Sequence, residues 1–326
     1  MSPKISINDF KLPLLEDYVR SHILVFLNRP RASFSLQPTT LGNHNAIFLL
    51  FIDRFPSLIL KGYPKINWYK KALNGSRLLA QHGIRVPRLY YTDSSAACFE
   101  TFGCHFICEE KIAGKSLAER GAIKDYIPAV AHCYAKMHQI RNSRWKDFFP
   151  MYRPWYKSAL LKKVTNLLQS LGHSASQEIT EKDLASYRSW FFERKNTLPN
   201  IQSQSLCHGD VNKKNILISD DNEIVLIDHE TVKFSPFPVE FARLKLILCE
   251  DRQDLIDLFE TSYSAHCTGE ALCELTESKD FYRAYVLLEF AVYFSRKLRQ
   301  SADETARNYC AAQLDKVLSA LEEMIK

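Results

Sequence analysis

Short strand-like runs dominate the first third of this chain and long helical periods dominate the rest, and that contrast limits the folds it can adopt. Residues 8–28 have the near 3.6-residue period of an amphipathic helix. Short β-like runs separated by turn-forming residues then follow at residues 33–39, 46–52 and 57–61. These runs predict a three-stranded antiparallel meander. A helical period over residues 65–82 comes next, and further strand patterns follow at residues 89–92 and 104–109.

Beyond Gly114 long helical periods dominate the sequence. The clearest predicted helices lie at residues 125–140, 181–195, 252–266 and 280–299. Two short strands, Ile216 to Ile218 and Ile224 to Ile227, interrupt them as a predicted hairpin. A chain of 326 residues favours two lobes over one compact core. We therefore predict an α+β protein with a small antiparallel-sheet lobe over residues 1–108 and a larger, mainly helical lobe over residues 109–326.

Composition narrows the classes of partner and compartment. The nine cysteines have irregular spacing and no Cys-x-x-Cys pair, so we predict reduced, mostly buried thiols. The first residues lack the apolar core of a signal peptide, and no apolar run approaches the roughly 20 residues of a membrane span. The net charge of +6 is modest for this length and does not indicate a nucleic-acid partner. A cytoplasmic protein is predicted, and the sequence leaves its oligomeric state open.

Polar side chains that suit phosphoryl transfer are concentrated around the predicted hairpin. His208-Gly209-Asp210 leads into Asn215 at the start of its first strand, and Asp228-His229-Glu230 follows its second strand. Phosphoryl transfer needs a group that accepts the proton of the attacking hydroxyl, and oxygen ligands that hold Mg²⁺ against the phosphates. Asp210, Asn215 and Asp228 supply these groups.

The pattern His-Gly-Asp-x-x-x-x-Asn followed by Ile-Asp-x-Glu resembles the signature of the aminoglycoside phosphotransferase and choline kinase superfamily, whose members have a bilobal protein-kinase-like fold. The resemblance implies ATP and Mg²⁺ as cofactors, and transfer of the γ-phosphate to a hydroxyl of a small molecule such as an aminoglycoside, an amino alcohol or a sugar. It implies that Asp210 is the catalytic base, that Asn215 and Asp228 are metal ligands, and that Glu230 lies beside the metal or the substrate. His208 is expected to be structural.

The resemblance also implies a nucleotide site in the first lobe. Asn45 ends a loop, residues 42–45, at the place where the family covers the phosphates. Lys61 closes the third strand, where the family places a lysine against the ATP phosphates. Glu110 and Ile112 lie in a segment resembling the hinge whose backbone binds adenine. His138 is expected to be structural.

Two departures from the family pattern stand out. Relatives pair the strand lysine with an acid on the following helix, but residues 65–82 contain no Asp or Glu, which leaves the partner of Lys61 open. Asn74 or Ser76 could replace it only with a weaker neutral hydrogen bond. Gly75 within that helix indicates a close packing contact or a bend. Glu240 stands where relatives carry Asp.

The sequence leaves the acceptor open. An aromatic box for a cationic acceptor could come from Trp145, Tyr152, Trp155, Tyr156 and Trp190, although aromatic residues at such spacing more often belong to a core. Residues 141–163 are basic and aromatic, which suits an anionic glycolipid, a peripheral membrane contact or a solvated helix. A pseudokinase-like protein that binds nucleotide without turnover is the main alternative to a kinase.

Overall fold

The computed structural model describes residues 10–39, 45–142, 156–174, 179–199, 203–250 and 252–325. Contacts divide the chain into two compact units. The first unit comprises Met1–Ile123 and His208–Val232, and the second comprises Lys124–Cys207 and Lys233–Lys326. Residues 109–123 and 208–232 thus group with the first unit, whereas the sequence analysis assigned them to the second lobe. Every residue that the motifs assign to phosphoryl transfer falls within the first unit.

The first unit contains a five-stranded antiparallel sheet with the strand order β1-β2-β3-β5-β4. Its strands are β1 Phe34–Thr39, β2 Ala46–Ile52, β3 Leu58–Tyr63, β4 Leu89–Asp93 and β5 His105–Glu110. The predicted meander and both later strands are confirmed. Pairing of β5 with β3, beyond β4 in the sequence, was not predicted.

The two faces of this sheet have different surroundings. Along β2, buried residues alternate with half-buried ones, although all seven side chains are apolar. The fully buried face packs against the leading helical segment, which is confirmed as α1 Leu12–Tyr18, a π-helical turn Val19–Ile23 and α2 Leu24–Phe26. The half-buried face of β2 and β3 carries Lys61. Apolar residues on a face that the protein covers only in part suit a surface that receives a ligand.

Helix α3 Ile66–Gln81 follows β3, ends before Gly83 and confirms the predicted helix. Gly75 faces the turn after Asp228, where a Cβ atom would lie 2.7 Å from the carbonyl oxygen of His229. Real Cβ atoms do not approach backbone oxygens so closely, so Gly75 permits the contact between helix and turn. The close packing contact suggested by the sequence is confirmed. Helix α4 Ala96–Phe102, between β4 and β5, was not predicted.

The predicted hairpin is present as β9 Ile216–Ser219 and β10 Ile224–Leu226. A short strand, β6 Gly114–Ser116, pairs with β9 on its other side, and helix α5 Leu117–Arg120 follows β6. Because Ile216 pairs with Leu226, the start of β9 and the end of β10 lie at the same, open end of the hairpin, and Asn215 and Asp228 lie at that end.

The second unit is mainly helical, as predicted. Its helices are α6 Ile123–His138, α7 Tyr156–Ser174, α8 Glu181–Arg194, α9 Phe237–Cys249, α10 Gln253–Ser264, α11 Gly269–Gln300 and α12 Glu304–Ile325. A small sheet joins β7 Arg141–Asn142, β8 Gln204–Cys207 and β11 Lys233–Ser235. Helix α11 begins eleven residues before the predicted start, and α9 and α12 were not predicted.

A buried polar network joins three helices of the second unit. The His138 ring lies 2.6 Å by Nδ1 from the Tyr263 hydroxyl and 2.9 Å by Nε2 from the Glu240 carboxylate. All three residues are buried, so these contacts satisfy groups that water cannot reach. The structural role expected for His138 agrees with this setting.

The nine cysteines are free thiols, and six of them are buried, as predicted. No helix in the described part of the chain is long and apolar enough to cross a membrane.

Candidate active site

The loop before β9 is held against the turn after β10. Gly209 has a φ of 84°, and a Cβ atom there would lie 2.4 Å from the carbonyl oxygen of Thr231. The Thr231 hydroxyl donates to the carbonyl of His208 over 2.9 Å, and the buried His208 ring lies 2.9 Å by Nε2 from the carbonyl of Ile227. The backbone before Asp210 is therefore fixed by contacts that only glycine at position 209 allows without strain.

Asp210 is exposed, and Asn215 orients its side chain. The Asn215 Nδ2 group donates to the Asp210 carboxylate over 2.9 Å and to the Asp210 carbonyl over 3.1 Å. Asn215 is itself held by its amide, which donates to the carbonyl of Asn212 over 2.9 Å. An exposed, oriented carboxylate that retains lone pairs can accept a proton from an incoming hydroxyl.

Asp228 and Glu230 are half-buried acids on either side of His229. Asp228 adopts the left-handed conformation with a φ of 66°, which begins a short 3₁₀ turn His229–Thr231. Burial, then the nearby Asp228 carboxylate, raises the pKa of Glu230 to about 7, and Asp210 acts in the same direction. A carboxyl group whose pKa is raised by burial and by a neighbouring carboxylate is stabilised in its ionised form by a bound cation.

Asn45 contacts this acidic pair from the start of β2. Its Nδ2 group donates to the Glu230 carboxylate. The rest of the predicted phosphate-covering loop, residues 42–44, lies outside the described residues. Asn45 thus joins the sheet to the turn that carries Asp228.

Lys61 has a carboxylate partner that the sequence analysis missed. Its Nζ lies 2.8 Å from Oε1 of Glu109 on β5, and both side chains are largely buried. Burial opposes the charge of Lys61, but the Glu109 carboxylate, with Tyr63 and Asp228, outweighs it and holds the pKa of Lys61 above its ordinary value. The substitutes considered from the sequence, Asn74 and Ser76, are corrected to Glu109, because the partner comes from the sheet and not from α3.

The predicted hinge begins at the end of β5. The Glu110 carboxylate accepts two hydrogen bonds from the Arg85 guanidinium, at 2.9 and 3.0 Å, and one from the amide of Arg88 at 3.0 Å. The Glu110 amide donates to the Arg88 carbonyl over 2.8 Å, so an adenine contact from this residue cannot use its N–H. Ile112 is buried two residues later.

The donors around the acidic pair suit Mg²⁺, a hard cation that prefers oxygen ligands. Asp228 and Glu230 offer carboxylates. Because the Asn215 amide nitrogen is engaged with Asp210, its Oδ1 is the atom directed to other partners. This set of oxygen donors fits the cation that the sequence motif implies.

Hydrogen bonds within the first unit therefore connect Asp210 with Asn215 and Asn45 with Glu230. In the same unit, the Asp228 carboxylate interacts electrostatically with Lys61. Glu109, Thr231 and Arg85 are among the polar residues that contact the predicted site and that the sequence analysis did not single out. Residues 105–109 of β5 are all buried, so no alternation marks Glu109, and its role as a partner could be recognised only once the pairing of β5 with β3 was known.

The residues considered for acceptor binding have mixed outcomes. Trp190 and Tyr156 lie in the hydrophobic core of the second unit, which agrees with the core interpretation of the aromatic pattern. Residues 143–155, the centre of the basic aromatic segment, lie outside the described residues. The proposed membrane contact of that segment stays a prediction.

The sequence profile of the phosphotransferase enzyme family matches residues 36–272. This chain belongs to that family. Its matched region includes both Lys61 and the segment from His208 to Glu230. A search of curated proteins gives no match.

Solved structures share the fold at low sequence identity. An ethanolamine kinase of Plasmodium vivax has a TM-score of 0.64 at 16% identity, over 96% of this chain and 90% of its own. A choline kinase of Cryptosporidium parvum has a TM-score of 0.63 at 16% identity, over 97% of this chain and 96% of its own. A spectinomycin phosphotransferase in complex with ADP and spectinomycin has a TM-score of 0.56 at 11% identity, over 89% and 92%. The protein thus has the α+β, protein-kinase-like fold that the sequence predicted.

Proposed function

We propose that this protein is a small-molecule kinase that transfers the γ-phosphate of ATP to a hydroxyl group, with Mg²⁺ as cofactor. One observation carries the proposal. A single compact unit holds an oriented, exposed carboxylate, Asp210, together with two half-buried acids, Asp228 and Glu230, and a lysine with a largely buried side chain, Lys61. These are the charges that phosphoryl transfer requires at a proton acceptor, a metal and a phosphate.

In this proposal Asp210 accepts the proton of the acceptor hydroxyl as its oxygen attacks the γ-phosphorus. The bond from that phosphorus to the bridging oxygen breaks, and ADP leaves with the electron pair. Asn215 keeps the Asp210 carboxylate directed toward the hydroxyl. Bound Mg²⁺ would neutralise phosphate charge, held by Asn215, Asp228 and Glu230.

Nucleotide binding in this proposal uses the half-buried face of the sheet. Ile47 lies opposite Lys61 in the strand register, and Leu49 lies opposite Ile59. Directly opposed residues share one face of a sheet, so three apolar side chains lie beside the lysine. Such a surface suits a flat base, with Lys61 and Asn45 toward the phosphates and the backbone of Glu110 and Ile112 toward adenine.

The acceptor proposed is a small hydroxylated molecule of the amino-alcohol, aminoglycoside or sugar class. Ethanolamine and choline kinases and a spectinomycin phosphotransferase share the fold, which supports this range. The absence of an acid on α3 favoured the alternative of a protein that binds nucleotide without turnover. The contact between Lys61 and the Glu109 carboxylate weakens that alternative. The cytoplasmic location stays a prediction.

A Mg-ATP consumption screen tests the proposal. Panels of aminoglycosides, amino alcohols, sugars and nucleosides are incubated with the protein, and ADP release is measured against Asp210→Asn as the matched control. Mg-ATP alone should raise the melting temperature, since a ligand that binds only the folded state stabilises it. Stabilisation by Mg-ATP without transfer to any member of the panels would overturn the kinase proposal in favour of a nucleotide-binding protein.

A further inference from the structure

A buried lysine needs a fixed partner, because leaving water penalises its charge. The Lys61 side chain is only 11% exposed. Helix α3, which follows its strand, contains no acid. The charge must therefore be compensated from elsewhere in the unit.

The strand register supplies that partner. Lys61 lies opposite Ile107, and Ile59 lies opposite Glu109. Because side chains alternate along a strand, Lys61 and Glu109 project from the same face as diagonal neighbours. Their distance of 2.8 Å and the 7% exposure of Glu109 make this a buried, charge-assisted contact.

The close approach of α3 explains why the helix is not the source of the acid. Gly75 touches the turn at His229, and the neighbouring Ala72 and Ser76 are small and buried. A carboxylate side chain at position 75 would overlap the backbone of that turn. The helix thus closes onto the turn with small residues, and the sheet provides the charge.

The next residue along β5 points the other way and anchors the strand end. Glu110 is held by the paired hydrogen bonds of Arg85, which also lies 3.5 Å from Glu223 in the turn between β9 and β10. Because these contacts fix the end of β5 on the face that carries Glu110, they also give Glu109 a defined position on the opposite face, which carries Lys61.

We propose that Glu109 is the positioning residue for Lys61. It holds the ammonium group toward the phosphates of the nucleotide, in the place of a helix acid. This inference rests on the proposed function for its kinetic consequence, but the placement of Lys61 that it invokes can also be measured through nucleotide affinity alone.

The test is a double-mutant cycle on Lys61→Ala and Glu109→Gln. Glu109→Gln should lower kcat/KM for ATP by about tenfold to a hundredfold, which is the range of a lost charge-assisted hydrogen bond. It should lower kcat less than kcat/KM. In the Lys61→Ala background the same change should cause no further loss, because Glu109 acts through Lys61. Glu109→Asp, which keeps the charge but shortens the reach, should retain part of the activity. Glu274→Gln, which removes an equally buried acid paired with Arg141 in the other unit, is the control for loss of a buried ion pair.

Unchanged ATP kinetics in Glu109→Gln, or equal losses in both backgrounds, would overturn the inference. If Glu109→Gln does not fold, Glu109→Asp decides: wild-type ATP kinetics with this shortened side chain overturn the inference, and a partial loss that vanishes in the Lys61→Ala background supports it. If the wild-type protein transfers phosphate to no acceptor, the proposed function fails. Calorimetry of Mg-ATP binding to the four proteins of the double-mutant cycle then still tests Glu109 through nucleotide affinity.

Discussion

Two polar clusters, one in each unit, place their carboxylates in opposite surroundings. In the first unit Glu109, Asp228 and Glu230 face one ammonium group, Lys61. In the second unit Glu240 contacts His138, whose other ring nitrogen contacts Tyr263. We call the first the acidic site and the second the histidine network.

The charge balance of the two clusters indicates different roles, ligand binding for the acidic site and stability for the histidine network. The acidic site has more negative than positive groups, and burial together with the Asp228 carboxylate raises the pKa of Glu230. Such an arrangement costs stability unless a cation binds, and it is typical of functional sites. In the histidine network each polar atom described has a partner, so its residues contribute to folding. Substitutions in the two clusters should therefore affect different measurements.

The largest effect is expected at Asp210, the proposed proton acceptor. Asp210→Asn keeps the size of the side chain but removes the proton acceptor, and general bases contribute about 10² to 10⁴ in rate. Turnover with any acceptor found in the screen should fall by this factor, while calorimetry shows unchanged Mg-ATP affinity. Near-normal turnover would remove Asp210 from the mechanism.

The next effect is on stability and belongs to the histidine network. Glu240→Leu leaves His138 Nε2 without its partner in a buried position, which should lower the free energy of unfolding by about 3 kcal/mol. Glu240→Gln retains a hydrogen-bonding group at this position and should lose less. Urea titrations of both variants measure the difference, and ATP affinity below the transition should match the wild type. Equal midpoints for wild type and Glu240→Leu would contradict a structural role.

Asp228 should show the reverse pattern. Asp228→Asn removes one charge of the acidic pair, so Mg-dependent nucleotide affinity should fall by about tenfold to a hundredfold, the range of a lost contact to a charged group. The free energy of unfolding should stay equal or rise, because the repulsion with Glu230 is relieved. Calorimetry with and without Mg²⁺ and a urea titration check both parts. A loss of stability at unchanged affinity would place Asp228 with the structural residues.

The smallest effect concerns the half-exposed ion pair of Arg85 and Glu110. Burial opposes ionisation of Glu110, but Arg85 and the Arg88 amide hold its pKa below the ordinary value of 4.5. The stabilisation is therefore present above that value and is lost as the pH falls through the lower folded-state value. Arg85→Gln should lower the free energy of unfolding by less than about 1 kcal/mol at pH 7, and by less still near pH 3. Urea titrations at both pH values measure the difference. A difference that grows in acid would contradict this assignment.

The sequence predicted those features that depend on local periodicity. The meander, α3, the β9–β10 hairpin and most long helices appear where apolar spacing indicated them. The acids at positions 210, 228 and 230 could be selected because they lie within twenty-one residues of one another around that hairpin.

What the sequence did not predict depends on pairing between distant segments. Glu109 becomes the partner of Lys61 only because β5 pairs with β3, and α3, β4 and α4 separate these strands in the sequence. Helix α12 is a different case. Its buried residues Cys310, Leu314, Leu318 and Leu321 have helical spacing, and this signal was overlooked.

The ion pair between neighbouring strands has a consequence for related sequences. A lysine at position 61 needs one acid, and either the following helix or β5 can provide it. Across an alignment of relatives, an acid at the position of Glu109 and an acid on the helix should replace each other, and the small residue at the position of Gly75 should accompany the strand acid. The family would then contain two groups of sequences that compensate the lysine charge from different elements. Covariation of three alignment positions, those of Glu109, the helix acid and Gly75, would distinguish them.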